Sequence, residues 1–201
     1  LTSFKTHAQT AGSKPLLVFT PTFENYLDIF QKWDFLRWFF NSTAIAAATT
    51  IIDLALGSGA AYALSRFQFR GNENVKFWII SFRFLPGVAI IFPLFLLFSY
   101  VNLLDTHVGV ILSYTTFTLP FAIWMLLGFI DDVPKELDEA AILDGCTRMG
   151  VLWRIILPVV KSGIIVTVVF TFLLCWNEFL IALFITRAFT RTLPVGFTLF
   201  V

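Results

Sequence analysis

Long, unbroken apolar runs dominate the pattern of hydrophobic and polar positions along the chain. Four of them, at about 42–65, 77–104, 107–130 and 159–185, are long enough to cross a bilayer. A helical span needs about 20 apolar residues, because a helix rises 1.5 Å per residue across roughly 30 Å of hydrocarbon. Barrel strands would alternate apolar and polar positions and need only about 10 residues each. The pattern therefore predicts helices, whose backbone groups are satisfied within each span. Asp53 interrupts the first run. Pro86, Gly87 and Pro93 interrupt the second, and Pro120 the third. The fourth carries Lys161 at its start and Glu178 near its end. A fifth run begins near Val195 and stops with the chain at Val201. The first residue is Leu1 rather than Met, and the expectation is a fragment of a longer membrane protein.

Two segments between or before the runs have helical patterns of their own. Ahead of the first run, Phe23, Tyr26, Leu27 and Phe30 share one helical face, with Thr22 as a candidate cap and Glu24 in the first turn. With Trp33 and Trp38 following, this reads as a short helix lying at the membrane surface. Between the third and fourth runs, Pro134–Gly145 reads as a helix capped by Asp132 and started by Pro134. Leu137, Ala140 and Ala141 are expected on one face, and Gly145 at a turn that needs positive φ. A second pattern over Thr147–Leu157 puts Met149, Leu152, Trp153 and Ile156 on one face and closes at Pro158. The segment 131–158 is thus a helix–turn–helix knob joining two spans.

Composition narrows the class. Apolar residues make up 58% of the 201 and charged residues 13%, about half the share of a soluble domain, too little polar surface to cover a water-exposed globule. The net charge of +1 gives no basic surface for nucleic acid. Cys146 and Cys175 are too few and too far apart for a disulfide framework or a metal site, and are expected as small buried side chains. No catalytic triad spacing or metal-ligand cluster is visible. Arg66, Arg70, Lys76, Lys135, Arg148, Arg154 and Lys161 flank the spans on one side. Lys32, Arg37, Arg187 and Arg191 do so on the other, with Lys5 and Lys14 more distant. The excess places the loops 66–76 and 131–158 in the cytoplasm.

Charges inside a span are costly and face protein or water. Asp53 lies about 12 residues from either end of its run and is a candidate for the transport path or for a structural bond. Arg83 is close enough to an end to snorkel. Asn177 and Glu178, beside Trp176, are candidates for lining a path. The run Ser113–Thr118 points polar groups in several directions and is expected to bond between helices. On the residues alone, a carrier driven by a proton or sodium gradient through Asp53 and Glu178 remains a rival reading.

Glu139-Ala140-Ala141, then Asp144-Gly145, then Ile155-Ile156-Leu157-Pro158 resembles, in residue type and spacing, the EAA loop of permeases of binding-protein-dependent ABC importers. Thr20-Pro21-Thr22, Asn25-Tyr26, Arg83, Pro86-Gly87, Pro93, Leu119-Pro120-Phe121 and Trp176-Asn177-Glu178-Phe179 are similar to the carbohydrate branch, nearest the maltose-type second subunit. Asp131-Asp132 and the mid-span Asp53 depart from that pattern. The resemblance implies an all-α membrane protein with a type I importer helix bundle of six spans, the first absent and the sixth truncated here. Residues 1–37 would follow the missing span outside the cell, and 38–201 would be the transmembrane domain. It also implies a multi-pass inner-membrane location, a second permease subunit completing the pore and an extracytoplasmic solute-binding protein that delivers a sugar. Glu139, Ala140, Ala141, Asp144, Gly145, Ile155, Leu157 and Pro158 would couple to a dimer of ATP-binding subunits. No cofactor is expected on this chain, which has no G-x-x-x-x-G-K-[ST] loop; ATP would be bound by the partner, and no catalysis is expected here.

Overall fold

The computed structural model describes residues 2–5 and 20–200, without the side chains of Thr2, Arg83 and Phe200. The described elements are helical: α1 (Glu24–Lys32), α2 (Phe35–Arg66), α3 (Asn72–Ser81), α4 (Gly87–Tyr100), α5 (His107–Asp131), α6 (Glu136–Leu143), α7 (Arg148–Val159), α8 (Lys161–Trp176), α9 (Leu180–Ile185) and α10 (Leu193–Phe197).

Helices α2 and α5 are each long and apolar enough to cross a membrane unbroken. The first expected span starts seven residues early, because the aromatic stretch Phe35–Phe40 continues its helix. The third matches its expected bounds. Thr106 caps it, its hydroxyl accepting from the Gly109 amide at 3.0 Å, and Pro120 is absorbed within it. The other two expected spans are not single helices. Residues 77–104 divide into α3, a 3₁₀ turn over Phe82–Phe84 and α4, because Pro86 has no amide to continue the ladder and Leu85 before it is extended. Residues 159–185 divide at Asn177–Phe179 into α8 and α9.

Helix α2 packs along α5, and α8 lies against both. Small residues allow the approach. Gly57 faces Ala122 and Leu126, and a Cβ on Gly163 would collide with the Phe129 ring. Two apolar cores result. One, at the knob end, joins Ala61, Leu64, Leu126, Ile130, Val151 and Ile156. The other, at the opposite end, joins Ile45, Phe98, Val110, Ile181 and Ile185. Between them lies a buried polar layer from Thr49 and Asp53 on α2, Thr118 on α5 and Thr167 and Thr171 on α8.

The hydroxyls of the third span mostly do not bond between helices as expected. Ser113 donates to Gly109 O, Thr116 to Leu112 O and Thr118 to Tyr114 O, each one turn back on its own helix. Tyr114 reaches across, donating to the Glu178 carbonyl at 3.3 Å, and Thr118 also meets the Cys175 thiol of α8. Cys175 is buried as expected, while Cys146 is only half-buried; both are free thiols.

At the end away from the knob, α1 begins at Glu24, whose amide donates to Thr22 Oγ1 at 3.2 Å. Phe23, which occupies the N-cap position expected for Thr22, and Leu27 and Phe30 within the helix are exposed. The segment after α9 is tied down by Asp105. Its carboxylate accepts from the amides of Arg187 (2.9 Å), Phe189 (3.1 Å) and Thr190 (3.0 Å) and from the Thr190 hydroxyl (2.9 Å). Asn41 adds donations to Phe189 O and Arg191 O, and its own oxygen lies 3.1 Å from His107 Nε2.

Burial works to raise the Asp105 pKa, but these donations together outweigh it and hold the carboxyl below its ordinary value of 3.8. The stabilisation is therefore full above that value and is lost as pH falls through the lower folded value. Asp105→Ala should cost about 2 kcal/mol of stability at neutral pH, read as a lower melting temperature of the detergent-solubilised protein. The gap between variant and wild type should close in acid. A constant gap down to pH 2 would show that the carboxylate is not what holds the loop.

Candidate functional site

The knob is α6, a turn over residues 144–147 and α7, which meets α8 at Val160 with an 82° bend. Helix α6 does not start as expected. Asp132 makes no cap and instead ends α5, and Lys135 occupies the N-cap position of α6 without a side-chain bond. The C-terminus does follow expectation. Gly145 has φ +86°, the Gly145 amide donates to Ile142 O and the Cys146 amide to Ala141 O. That pair of bonds closes the last turn of a helix around a left-handed residue. Thr147 then caps α7, accepting from the Gly150 amide at 3.1 Å. Pro158 does not close α7; it lies within the last turn, after a π-helical turn over Leu152–Ile156.

The expected faces are corrected at both helices. Leu137, Ala140 and Ala141 do not share a buried face. Asp138 and Ala141 point inward, with Ala141 4% exposed, whereas Leu137 and Ala140 are exposed. On α7, Val151, Leu152 and Ile156 are buried, and Met149 and Trp153 are exposed. The coupling candidates therefore split. Glu139, Ala140, Asp144, Gly145 and Pro158 are exposed, Ile155 and Leu157 are half-buried, and Ala141 belongs to the core. Glu136, Glu139, Ala140 and Leu143 fall at helical spacing on the outward face of α6. Leu143 is 88% exposed, a large apolar side chain with nothing of its own chain over it.

The inward face is held by an interaction that local patterning did not reveal. Asp138 Oδ2 pairs with Arg66 Nε, both side chains being almost fully buried. Arg66 also donates to the Val133 carbonyl at 2.9 Å and to Ser65 Oγ at 3.1 Å. The Tyr62 hydroxyl lies 3.5 Å from Asp138 Oδ1. The partners are 72 positions apart, so helical periodicity gives no sign of them.

A cavity of about 180 Å³ opens between α5, α8, α9 and the 3₁₀ turn, lined in part by Tyr114, Thr118, Cys175, Glu178 and Phe82. The three candidate path residues fare differently. Glu178 lines the cavity, although its Oε1 accepts from the Ile181 amide at 2.9 Å and so caps α9. Asn177 does not line it; its side chain donates back to Leu173 O. Asp53 does not line it either. It is fully buried in the polar layer, and neither carboxylate oxygen has a hydrogen-bond partner. Among the described residues no group of three or more His, Cys, Asp or Glu is placed to hold a metal.

Residues 53–197, more than half of the chain, match the family described as "Binding-protein-dependent transport system inner membrane component". The chain belongs to that family. The permease is 34% identical over 200 residues to the inner membrane ABC transporter permease protein YcjP of Escherichia coli, covering 98% of this chain and 71% of that protein. It is 35% identical to the sulfoquinovosyl glycerol transport system permease protein SmoH of Agrobacterium fabrum, covering 99% and 70%. It is 33% identical to the trehalose/maltose transport system permease protein MalG of Thermococcus litoralis, covering 92% and 68%. Its fold is that of a chain in the crystal structure of a bacterial ABC transporter importing the polysaccharide alginate. The TM-score is 0.76 at 23% identity, over 97% of this chain and 69% of that one. The permease is therefore a multi-pass inner-membrane subunit of an ATP-driven importer, working with ATPase and binding-protein subunits.

An unpartnered buried carboxyl adds nothing to stability, and Asn fits the same space without the charge. Asp53→Asn should leave assembly and transport at wild-type levels, with a melting temperature equal to or above that of wild type. A folded Asp53→Asn complex with altered solute preference would place Asp53 in the path instead.

Proposed function

We propose that this permease forms half of a carbohydrate translocation pore and that α6 is its docking helix for an ATP-hydrolysing subunit. A second permease subunit completes the pore, an extracytoplasmic binding protein delivers the sugar, and ATP is bound and hydrolysed on the partner. This chain carries no cofactor and catalyses no reaction. Support for a carbohydrate comes from the relatives, whose names give sulfoquinovosyl glycerol and trehalose/maltose as their solutes.

The observation that carries the docking reading is the outward face of α6. Ala140 offers a small side chain for close approach, and Leu143 offers an apolar one that is 88% exposed. Glu136 and Glu139 flank them. The turn at Gly145 fixes the angle at which α7 leaves. Closure of the ATPase pair would displace α6, and α7 would carry that displacement to the bend at Val160 and into α8. The wall of the cavity, with Tyr114, Thr118 and Glu178, is the stretch of α5, α8 and α9 that such a movement would reshape. The gradient-driven rival is not favoured: Asp53 is enclosed, and the Glu178 carboxylate is occupied by α9.

The test is purification of the whole complex in mild detergent, with ATPase and vesicle transport assays on Ala140→Arg. The substitution places a long cation on the exposed face and leaves the core untouched, unlike Ala141→Arg, which would disrupt packing. Ala140→Arg should insert normally, lose most of the ATP-binding subunit on purification and lose transport roughly in proportion. Retained assembly with transport at the normal rate would remove α6 as the docking element.

A further inference from the structure

Helix α6 packs by backbone proximity on α7. Its polar link to the spans is the buried cluster of Asp138, Arg66 and Tyr62. The Arg66 fork is engaged on three sides at once: the Asp138 carboxylate on α6, the Val133 carbonyl in the α5–α6 connection and Ser65 on α2. Ser65 in turn donates to Asp131 at the end of α5. A guanidinium makes such divided contacts because its five donors lie in a fixed plane; an ammonium is a point charge on a flexible stem.

The position of this cluster gives it more than a packing role. Arg66 is the last residue of α2, the 32-residue helix that carries Asp53, Gly57 and Ala61 along the bundle axis. Asp138 lies on the side of α6 opposite the exposed Ala140 and Leu143. A load on the outward face of α6 therefore meets α7 along the chain and α2 through Arg66. Breaking a buried pair on one side leaves a charge without compensation, so the cluster transmits displacement rather than yielding to it.

We propose that Arg66 is a positioning residue for coupling: it fastens α6 to α2, so that ATP-driven movement of α6 is delivered to α2 and α8 together. The proposal rests on the docking reading given above and adds a second route to it. Without the fastening, α6 still docks and the ATPase still turns over, but α2 lags behind.

Arg66→Met, Arg66→Lys and the double variant Arg66→Met/Asp138→Asn separate the possibilities in the reconstituted whole complex. The double variant has no buried charge to strand, so its assembly and melting temperature should match wild type. Its solute transported per ATP hydrolysed should nevertheless fall roughly tenfold, within the usual range of coupling between sites. Arg66→Lys keeps the charge and cannot span Asp138 and Val133 together, so it should also fold, assemble and lose part of that ratio. A wild-type ratio in either variant would overturn the proposal and leave the cluster as packing alone. A photo-crosslinking residue at position 143 in the otherwise wild-type chain tests the docking reading separately. A cross-link to the ATP-binding subunit upholds docking whatever the coupling ratio, and its absence overturns docking and the proposal that rests on it.

Discussion

Close contact between α2 and α5 is the constraint on which the rest of the described chain depends. In lipid there is no hydrophobic gain from bringing two apolar helices together, so their association rests on fit. Gly57 against Ala122 and Leu126 supplies that fit at mid-helix, and Ala61 and Ala46, both fully buried, extend it in either direction. With those two helices set, α8 is guided by Gly163 against Phe129, and α10 by Gly196 against the Trp38 ring. The knob is fastened where the same two helices end, by Arg66 of α2 to Asp138 and the Val133 carbonyl, while Ser65 beside it ties α2 to Asp131 at the end of α5. Helix α8, the knob and α10 are thus all referred to one pair of helices, whereas α4 packs chiefly on α9.

The interruptions in the other spans follow a shared logic. A break in a membrane helix frees backbone groups that nothing in hydrocarbon will satisfy, so it persists only where protein supplies partners. Glu178 accepts the Ile181 amide at the break between α8 and α9. Tyr114 donates to the Glu178 carbonyl on the same turn. Asp105 collects three amides after α9, and its own amide donates to Ile185 O. These side chains are acidic or phenolic and lie at span ends. A reading that looks for transport chemistry in every polar group near the membrane would take them for a path, when most of their capacity is spent on holding breaks in place.

That accounts for what was legible in the sequence. The third run was legible as one helix because it is apolar and free of charge throughout. Gly145 was readable because a helix end followed at once by a second helix needs a left-handed residue. The second and fourth spans were readable as apolar lengths but not as broken helices, since a proline is absorbed at Pro120 and breaks the chain at Pro86. The facing of Ala140 and Ala141 was not readable at all. Local periodicity favours burying Leu137 with the alanines, yet an ion pair from 72 residues away turns Asp138 inward and Ala140 out. The surroundings of the path candidates were likewise not legible: Asp53 is sealed between helices, the Asn177 side chain donates back to Leu173 O on its own helix, and Glu178 faces the cavity.

The sealed layer around Asp53 then has a place in the architecture. It separates two apolar cores, one continuous with the knob and one continuous with the α4–α9 end. Interdigitated apolar cores resist sliding, because any shift forces side chains into overlap. A layer of threonines and one carboxyl interlocks less. Thr49 on α2 and Thr118 on α5 reach across to the Cys175 thiol on α8, so the three helices are joined here by a few weak polar contacts. The Cys175 thiol faces this layer while also lining the cavity, so a shift within the layer alters the cavity wall directly. The layer lies at the depth of the cavity and shares its wall through Thr118 and Cys175. The order along α2, α5 and α8 is thus apolar core, polar layer and apolar core, and the polar layer is the part of the bundle interior that the cavity reaches, because hydroxyls and a thiol leave space there that interdigitated apolar side chains would fill.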